Sequence, residues 1–210
     1  KNIIDSLYGT NIAESKSFWI TVFNDLKDRG LEKVLYVVSD ALTGIEDAIF
    51  DAFPEAFYQR CVVHIVRNLK SYTNKSNQKE VISDFKRIYS SPCKEIAIAN
   101  QDYFLSKYKD NLTLIKHAKK YLEYIMPLFD IPIGIRNYIY TNNIVESVNS
   151  KIKRGFYGRG ALPNVQSALN IAYLNLIDLE KKWKNKHINN WNNIKNELMI
   201  VHYNDIKDYL

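Results

Sequence analysis

Asp40 follows directly on the apolar run Val34-Leu35-Tyr36-Val37-Val38-Ser39, and Glu146 stands early in a helical stretch opened by Thr141-Asn142-Asn143. Two carboxylates carried on different elements suit a hard divalent cation. Mg²⁺ takes oxygen ligands in octahedral geometry and keeps several waters, so a few side chains are enough to hold it. Two such ions roughly 3.5–4 Å apart stabilise both the attacking and the leaving oxygen of a phosphodiester. Positions 146, 149, 150 and 153 share a helix face, which sets Asn149, Ser150 and Lys153 beside Glu146 and turns acid, amide and amine toward a phosphate backbone. Ile144, Val148 and Ile152 form a separate stripe for the core. Each acid also has an ordinary reading: Asp40 as the cap of the helix after it, and Glu146 as a first-turn carboxylate favoured by the helix dipole.

The elements that must carry these residues follow from periodicity. Ile3 to Gly9 is short and apolar and predicts a strand ending at a glycine turn. Phe18, Trp19, Val22, Phe23 and Leu26 recur at helical spacing, with Ser15 or Ser17 as cap and Gly30 as stop. Val34 to Val38 predicts a strand buried on both faces in the middle of a sheet. A short helix through Ile45, Ala48, Ile49 and Ala52 ends before Pro54, and Ala56 to Val63 predicts another strand. Strand, helix, strand, helix, strand is the order of an α/β sheet, whose ligand crevice lies beyond the carboxyl ends of its parallel strands. From about Ile65 to Leu128 the pattern is helical throughout. After the basic loop Lys151 to Gly160, a long amphipathic helix runs from Val165 to Trp183, and a last one lies around Ile194 to Tyr203.

At 210 residues and 46% hydrophobic, the chain is long enough to bury a substantial core. No stretch approaches the roughly 18 apolar residues of a membrane span. Cys61 and Cys93 are the only cysteines, too few for a disulfide scaffold, and Cys61-Val62-Val63-His64 without a second matching pair is a poor zinc signature. The net charge of +6 hints at a polyanionic partner, and its distribution says more. Lys151 to Gly160 carries four cations and three of the seven glycines, with Phe156 and Tyr157 interleaved, a composition suited to stacking on bases beside phosphate neutralisation. A solvated surface loop is the plainer reading of the same stretch.

In order and spacing, five segments resemble the Mutator-type bacterial insertion-sequence transposases. They are Ser17-Phe18-Trp19-Ile20 with Asn24 to Gly30, the strand closed by Asp40, Gln59 to Asn68, Tyr138 to Ser147, and Arg159-Gly160. The resemblance runs from about residue 9 to Trp183, and Cys61, His64, Arg67 and Asn68 are its most specific part. It implies an α/β, ribonuclease-H-like core: a mixed sheet with flanking helices, and an all-helical insertion between the last strand and the Glu146 helix. It further implies an Asp-Asp-Glu set holding two Mg²⁺ or Mn²⁺ ions, with Asp40 as the second acid and Glu146 as the third. The first acid is expected on a strand followed by two more strands before the first helix. Asp5 leaves no room before Ser17 for two strands of about five to six residues. The chain therefore reads as an amino-terminally truncated catalytic domain without the first two strands, cleaving little or nothing by itself.

On this resemblance, residues 1–64 are a partial core, 65–136 the insertion, 137–183 the Glu146 helix with its basic loop and core helix, and 184–210 a helical tail. Arg60, Arg67, Asn149, Lys151, Lys153, Arg154 and Arg159 are the expected DNA contacts, with Cys61, His64 and Asn68 a structural motif. The expected partners are element ends (terminal inverted repeats) and target DNA, bound by a homo-oligomer in the bacterial cytoplasm at the nucleoid, with no membrane and no small-molecule substrate. Two rival readings stand beside it: a non-catalytic DNA-binding or assembly remnant, and a ribonuclease-H-like nuclease or resolvase.

Overall fold

Ser15 opens the first described helix, its hydroxyl accepting from the Phe18 amide at 3.3 Å. A computed structural model describes residues 15–140, 143–158, 163–184 and 187–207, with residues 143–146 described through their backbone alone. The strand expected at Ile3 to Gly9, Asp5, Thr141-Asn142, Arg159-Gly160 and the Glu146 side chain lie outside the described residues. Helix α1 (Lys16–Asp28) turns Trp19 and Phe23 inward. They meet α2 (Ile45–Ala52), whose buried Ile45, Ala48, Ile49 and Ala52 follow a helical repeat, and Phe23 stands edge-on to Phe53 at 5.6 Å.

Gly44 is the N-cap of α2, at φ +78°. A Cβ there would come within 2.7 Å of the Lys16 backbone nitrogen. Gly44→Ala is expected to cost about 2–3 kcal/mol, the left-handed penalty plus overpacking, read as a lower urea midpoint at unchanged slope. Gly30→Ala, also at positive φ but with no neighbour within 4 Å of the added carbon, should cost only the first part.

Strands β1 (Tyr36–Ser39) and β2 (Phe57–Arg60) pair in parallel, Tyr36 opposite Phe57 and Ser39 opposite Arg60, with α2 as the crossover. Among the described residues the sheet has these two strands. Two expectations are corrected here. The strand expected over Val34 to Val38 runs instead over Tyr36–Ser39, and among the described residues, where it has one paired neighbour, it is half-buried, with Val38 37% exposed. Val62 and Val63 are not strand: they open α3 (Val62–Lys70), after Cys61 as N-cap, and Val62, Ile65 and Leu69 are buried at helical spacing. The packing of that stripe overrides the β preference of the valines.

Helices α4 (Gln78–Tyr89), α5 (Lys94–Lys107) and α6 (Leu112–Ile125) join α3 around an apolar centre. Phe85 and Phe104, both fully buried, meet edge to face at 5.5 Å. At its rim Asp84 accepts from Lys107 Nζ at 2.7 Å and from the Tyr108 hydroxyl at 2.8 Å. Burial alone would raise the Asp84 carboxyl, but these two bonds outweigh it and hold it below the usual carboxylate range. The Tyr108 phenol is pushed up to about 12, by burial first and the Asp84 bond next. The stabilisation from Asp84 is therefore complete above the unfolded carboxyl value of about 4 and is lost as pH falls through the lower folded value. That from Tyr108 is complete below about pH 10 and is lost on the way to its raised folded value. Asp84→Asn should flatten the acid limb of stability against pH, and Tyr108→Phe the alkaline limb, in denaturant titrations across pH.

A short 3₁₀ segment (Met126–Asp130) leads into α7 (Ile133–Tyr140). There the buried Arg136 donates through Nε to the Ile131 carbonyl at 2.8 Å and through Nη1 to those of Ser91 and Pro92 at 3.4 Å. Helix α8 (Asn143–Phe156) pairs with α9 (Val165–Lys184), and α10 (Trp191–Ile206) breaks helical geometry at His202. His202 bonds the Tyr36 hydroxyl at 2.6 Å, and Asp205 pairs with Lys33, tying the last helix to the first strand. Among the described residues no helix is long and apolar enough to cross a membrane.

Candidate functional site

Asp40 is the residue after β1, at the carboxyl end of the parallel pair. It does not cap the helix after it; Gly44 takes that position with no side-chain bond. Among the described residues no hydrogen bond or ion pair engages its carboxylate. The side chain stands half-buried at a crevice of 270 Å³ lined by Arg60 from β2, Cys61, His64 and Asn68 from α3, and Tyr121 and Tyr124 from α6.

The α3 contribution has a simple cause. Residues 61, 64, 65 and 68 stand at i, i+3, i+4 and i+7, so once this segment is helical they form one face, and that face lines the crevice. Cys61 is 2% exposed. His64 is half-buried, and its Nδ1 is buried without a hydrogen-bond partner among the described residues. Tyr121 and Tyr124, at i and i+3, supply the opposite wall. The walls are tied together by Gln59, whose Nε2 donates to the Tyr124 carbonyl at 2.7 Å.

Arg60 lies in this crevice with its guanidinium already engaged. It pairs with Glu46 at 2.9 Å and lies over the Tyr124 ring at 3.7 Å. Burial works against its charge, and the Glu46 bond more than restores it. Burial also raises the Tyr121 phenol, with Tyr72 adding to the effect, so it stays a neutral hydrogen-bonding group at pH 7.

The other expected contacts spread along two helices. Arg67 and Asn68 are exposed on α3. On α8, Asn149, Lys153 and Arg154 are exposed and Lys151 is half-buried, while Val148 and Ile152 are partly covered as their stripe requires. Tyr157, just past α8, is 77% exposed. Glu146 belongs to the first turn of α8, so the structure does not bring its side chain and Asp40 to a measured distance.

The donor set admits a hard cation in part. Asp40 is one unengaged oxygen ligand at a strand end, and Mg²⁺ needs few protein ligands because it keeps its waters. Among the described residues no three His, Cys, Asp or Glu side chains cluster closely enough to hold a metal, and the Glu146 side chain is outside them. Cys61 and Cys93 are both free thiols, and His117 lies flat against Tyr72 at 3.6 Å.

Comparison with known proteins adds a second line. Residues 2–186 match the family model described as "Transposase, Mutator family". The chain is 32% identical over 176 residues to a probable transposase for insertion sequence element ISRM3-like of Sinorhizobium fredii, covering 81% of this chain and 43% of that protein. It is 31% identical, with the same coverage, to the transposase for insertion sequence element ISRM3 of Rhizobium meliloti. It is 29% identical over 154 residues to the transposase for insertion sequence element IS905 of Lactococcus lactis, covering 73% of this chain and 39% of that protein. The chain thus spans about two fifths of the length of these curated relatives.

Proposed function

Because this chain belongs to the Mutator family of transposases, we propose that it is the catalytic segment of a DNA transposase that cuts an insertion-sequence end and joins it to target DNA. The observation that carries this reading is the Asp40 carboxylate: at the carboxyl end of a parallel strand, outside any cap, unengaged among the described residues, and facing a crevice. The fold reading that goes with it is a ribonuclease-H-like core in which the helices from about 65 to 136 are an insertion.

Asp40 and Glu146 would hold Mg²⁺ or Mn²⁺ as the second and third acids of an Asp-Asp-Glu set. When bound, such ions activate the attacking oxygen and stabilise the leaving one. Asn149, Lys153 and Arg154, on the exposed face of the Glu146 helix, would seat the phosphate backbone, with Lys151, Arg159 and Arg67 adding charge at the margins. Arg60 is better suited to orienting the crevice wall than to reading DNA, since Glu46 and Tyr124 hold it. In the first step water attacks a phosphorus at the element end and the 3′-oxygen leaves as a hydroxyl. In the second, that hydroxyl attacks a target phosphodiester in line and releases a target 3′-OH, so one phosphodiester is made for one broken. DNA ends and target are the partners, a homo-oligomer on DNA the working form, and the bacterial cytoplasm at the nucleoid its place.

The test is strand transfer with Mg²⁺ by a transposase of the relatives' length carrying this sequence as its matching segment. Activity lost on changing Asp40 or Glu146 to alanine supports the proposal. Activity indifferent to both removes it and leaves a non-catalytic DNA-binding module. Preference for branched DNA over terminal repeats would favour a resolvase.

A further inference from the structure

Helix α9 carries two apolar stripes, and the described residues cover one of them. Ala168, Ile171 and Leu179 are buried, and Ile171 and Asn175 press on Gly155 of α8, where an added Cβ would find no room. The second stripe is Val165, Leu169, Ala172, Leu176, Leu179 and Trp183, spaced four, three, four, three and four residues apart, which is the seam of a coiled coil. Leu169 is 42% exposed, Leu176 40% and Trp183 37%, so most of that seam faces solvent among the described residues. We propose that it packs against the same seam of a second copy of this chain, the two helices antiparallel about a two-fold axis. This names the contact within the homo-oligomer proposed above, and its purpose in transposition rests on that reading.

Shape, charge and area favour a second copy and fix its direction. When two antiparallel copies of the 20-residue helix overlap in full, Val165 meets Trp183, Leu169 meets Leu179 and Ala172 meets Leu176, so the two smallest seam residues each face a larger one. In that register the other copy's Val165, Leu169 and Ala172 form the ridge that fills a 520 Å³ groove between α8 and α9, lined by Val148, Leu176, Leu179 and Trp183. Residues 165–177 carry no charge, whereas the last turn holds Lys181, Lys182 and Lys184. Parallel helices would set both lysine clusters side by side; antiparallel ones lay each cluster beside an uncharged turn. The same uncharged half offers DNA no cation, so nucleic acid is a poor occupant. A strip about 30 Å long and about 10 Å wide covers roughly 300 Å² of each copy, less than half of the about 800 Å² in a standard interface. The pair is therefore weak and reversible, half-associated at about 10–100 µM.

Sedimentation of this 210-residue chain across concentration, without DNA or metal, reads the pair directly: the mass should rise from 24.5 kDa toward twice that value. Leu176→Glu, at an already exposed position, should weaken association at least about tenfold, and Leu174→Glu, 62% exposed but off the seam, should leave it unchanged. Direction is read by oxidising cysteine variants in a Cys93→Ser background, Cys61 being buried. Val165→Cys mixed with Trp183→Cys should form a crosslinked dimer. Val165→Cys alone should not, its two copies standing about 27 Å apart at about 1.5 Å per residue. A mass held at 24.5 kDa to about tenfold above the expected range overturns the pair. So does association indifferent to Leu176→Glu or equally sensitive to Leu174→Glu, and Val165→Cys crosslinking to itself overturns the antiparallel direction. If Leu176→Glu fails to fold, the mass of the unaltered chain and the cysteine mixture decide alone. None of these results touches Asp40-dependent strand transfer, whose failure would in turn leave the pair standing.

Discussion

Asp40→Ala is expected to abolish metal-dependent strand transfer, by roughly a thousand-fold or about 4 kcal/mol of barrier, and to leave stability unchanged within about 0.5 kcal/mol. The pairing of the two outcomes is what makes the prediction sharp. A carboxylate that capped a helix would cost about 0.5–2 kcal/mol of stability on removal. Asp40 caps nothing: α2 begins at Gly44, and among the described residues nothing bonds the carboxylate. Asp40→Asn keeps the shape and removes the charge, so it should be nearly as inactive as alanine. Glu146→Ala should match it in rate. Strand-transfer assays in Mg²⁺, with urea unfolding of the same variants, check both halves. A variant that unfolds easily while retaining transfer would return Asp40 to a structural role.

The second large effect lies far from the acids. Phe85→Ala should destabilise the protein by about 3–5 kcal/mol, a large share of the roughly 5–15 kcal/mol that holds a domain together. Phe85 is fully buried, packed edge-on against Phe104 at 5.5 Å and against Tyr89 at 6.4 Å, with Val81 and Ile88 on the same face of α4. Its ring leaves a void that four helices cannot easily close. Phe85→Leu, which refills much of the volume, should cost less than half as much. Hydrogen exchange should show protection lost across α4, α5 and α6 together, since they share this centre. Tyr121 and Tyr124 ride on α6, so the crevice wall loosens with it. A loss below about 1 kcal/mol would mean that the core repacks freely around position 85.

Much of this was legible from local pattern. Ser15, one of the two serines offered as cap, caps α1, the repeat Ile45, Ala48, Ile49, Ala52 marked α2, and Val165 to Trp183 marked α9 almost to its ends. The place of Asp40 just past a strand was legible for the same reason, because strand length and the polar residues after it are local. Val62 and Val63 were not. Two β-branched residues after Arg60 read as continued strand, yet they open α3, because Val62, Ile65 and Leu69 gain more from burial at helical spacing than the valines lose in propensity. The Cys61, His64, Asn68 spacing is a helix face only once that choice is made.

By itself, then, the sequence determined most of the helical segments, the place of Asp40 just past a strand, which acids are candidates and to which family the chain belongs, since each rests on residues near one another or on motif order. Tertiary structure alone decided that Arg60 turns to Glu46 and Tyr124 and that Tyr121 and Tyr124 face His64 across a crevice. It alone also decided that Tyr36 meets His202, 166 residues further along. Those contacts join elements remote in the chain, and which remote surfaces meet is set by the packing of whole helix faces, which no local periodicity encodes.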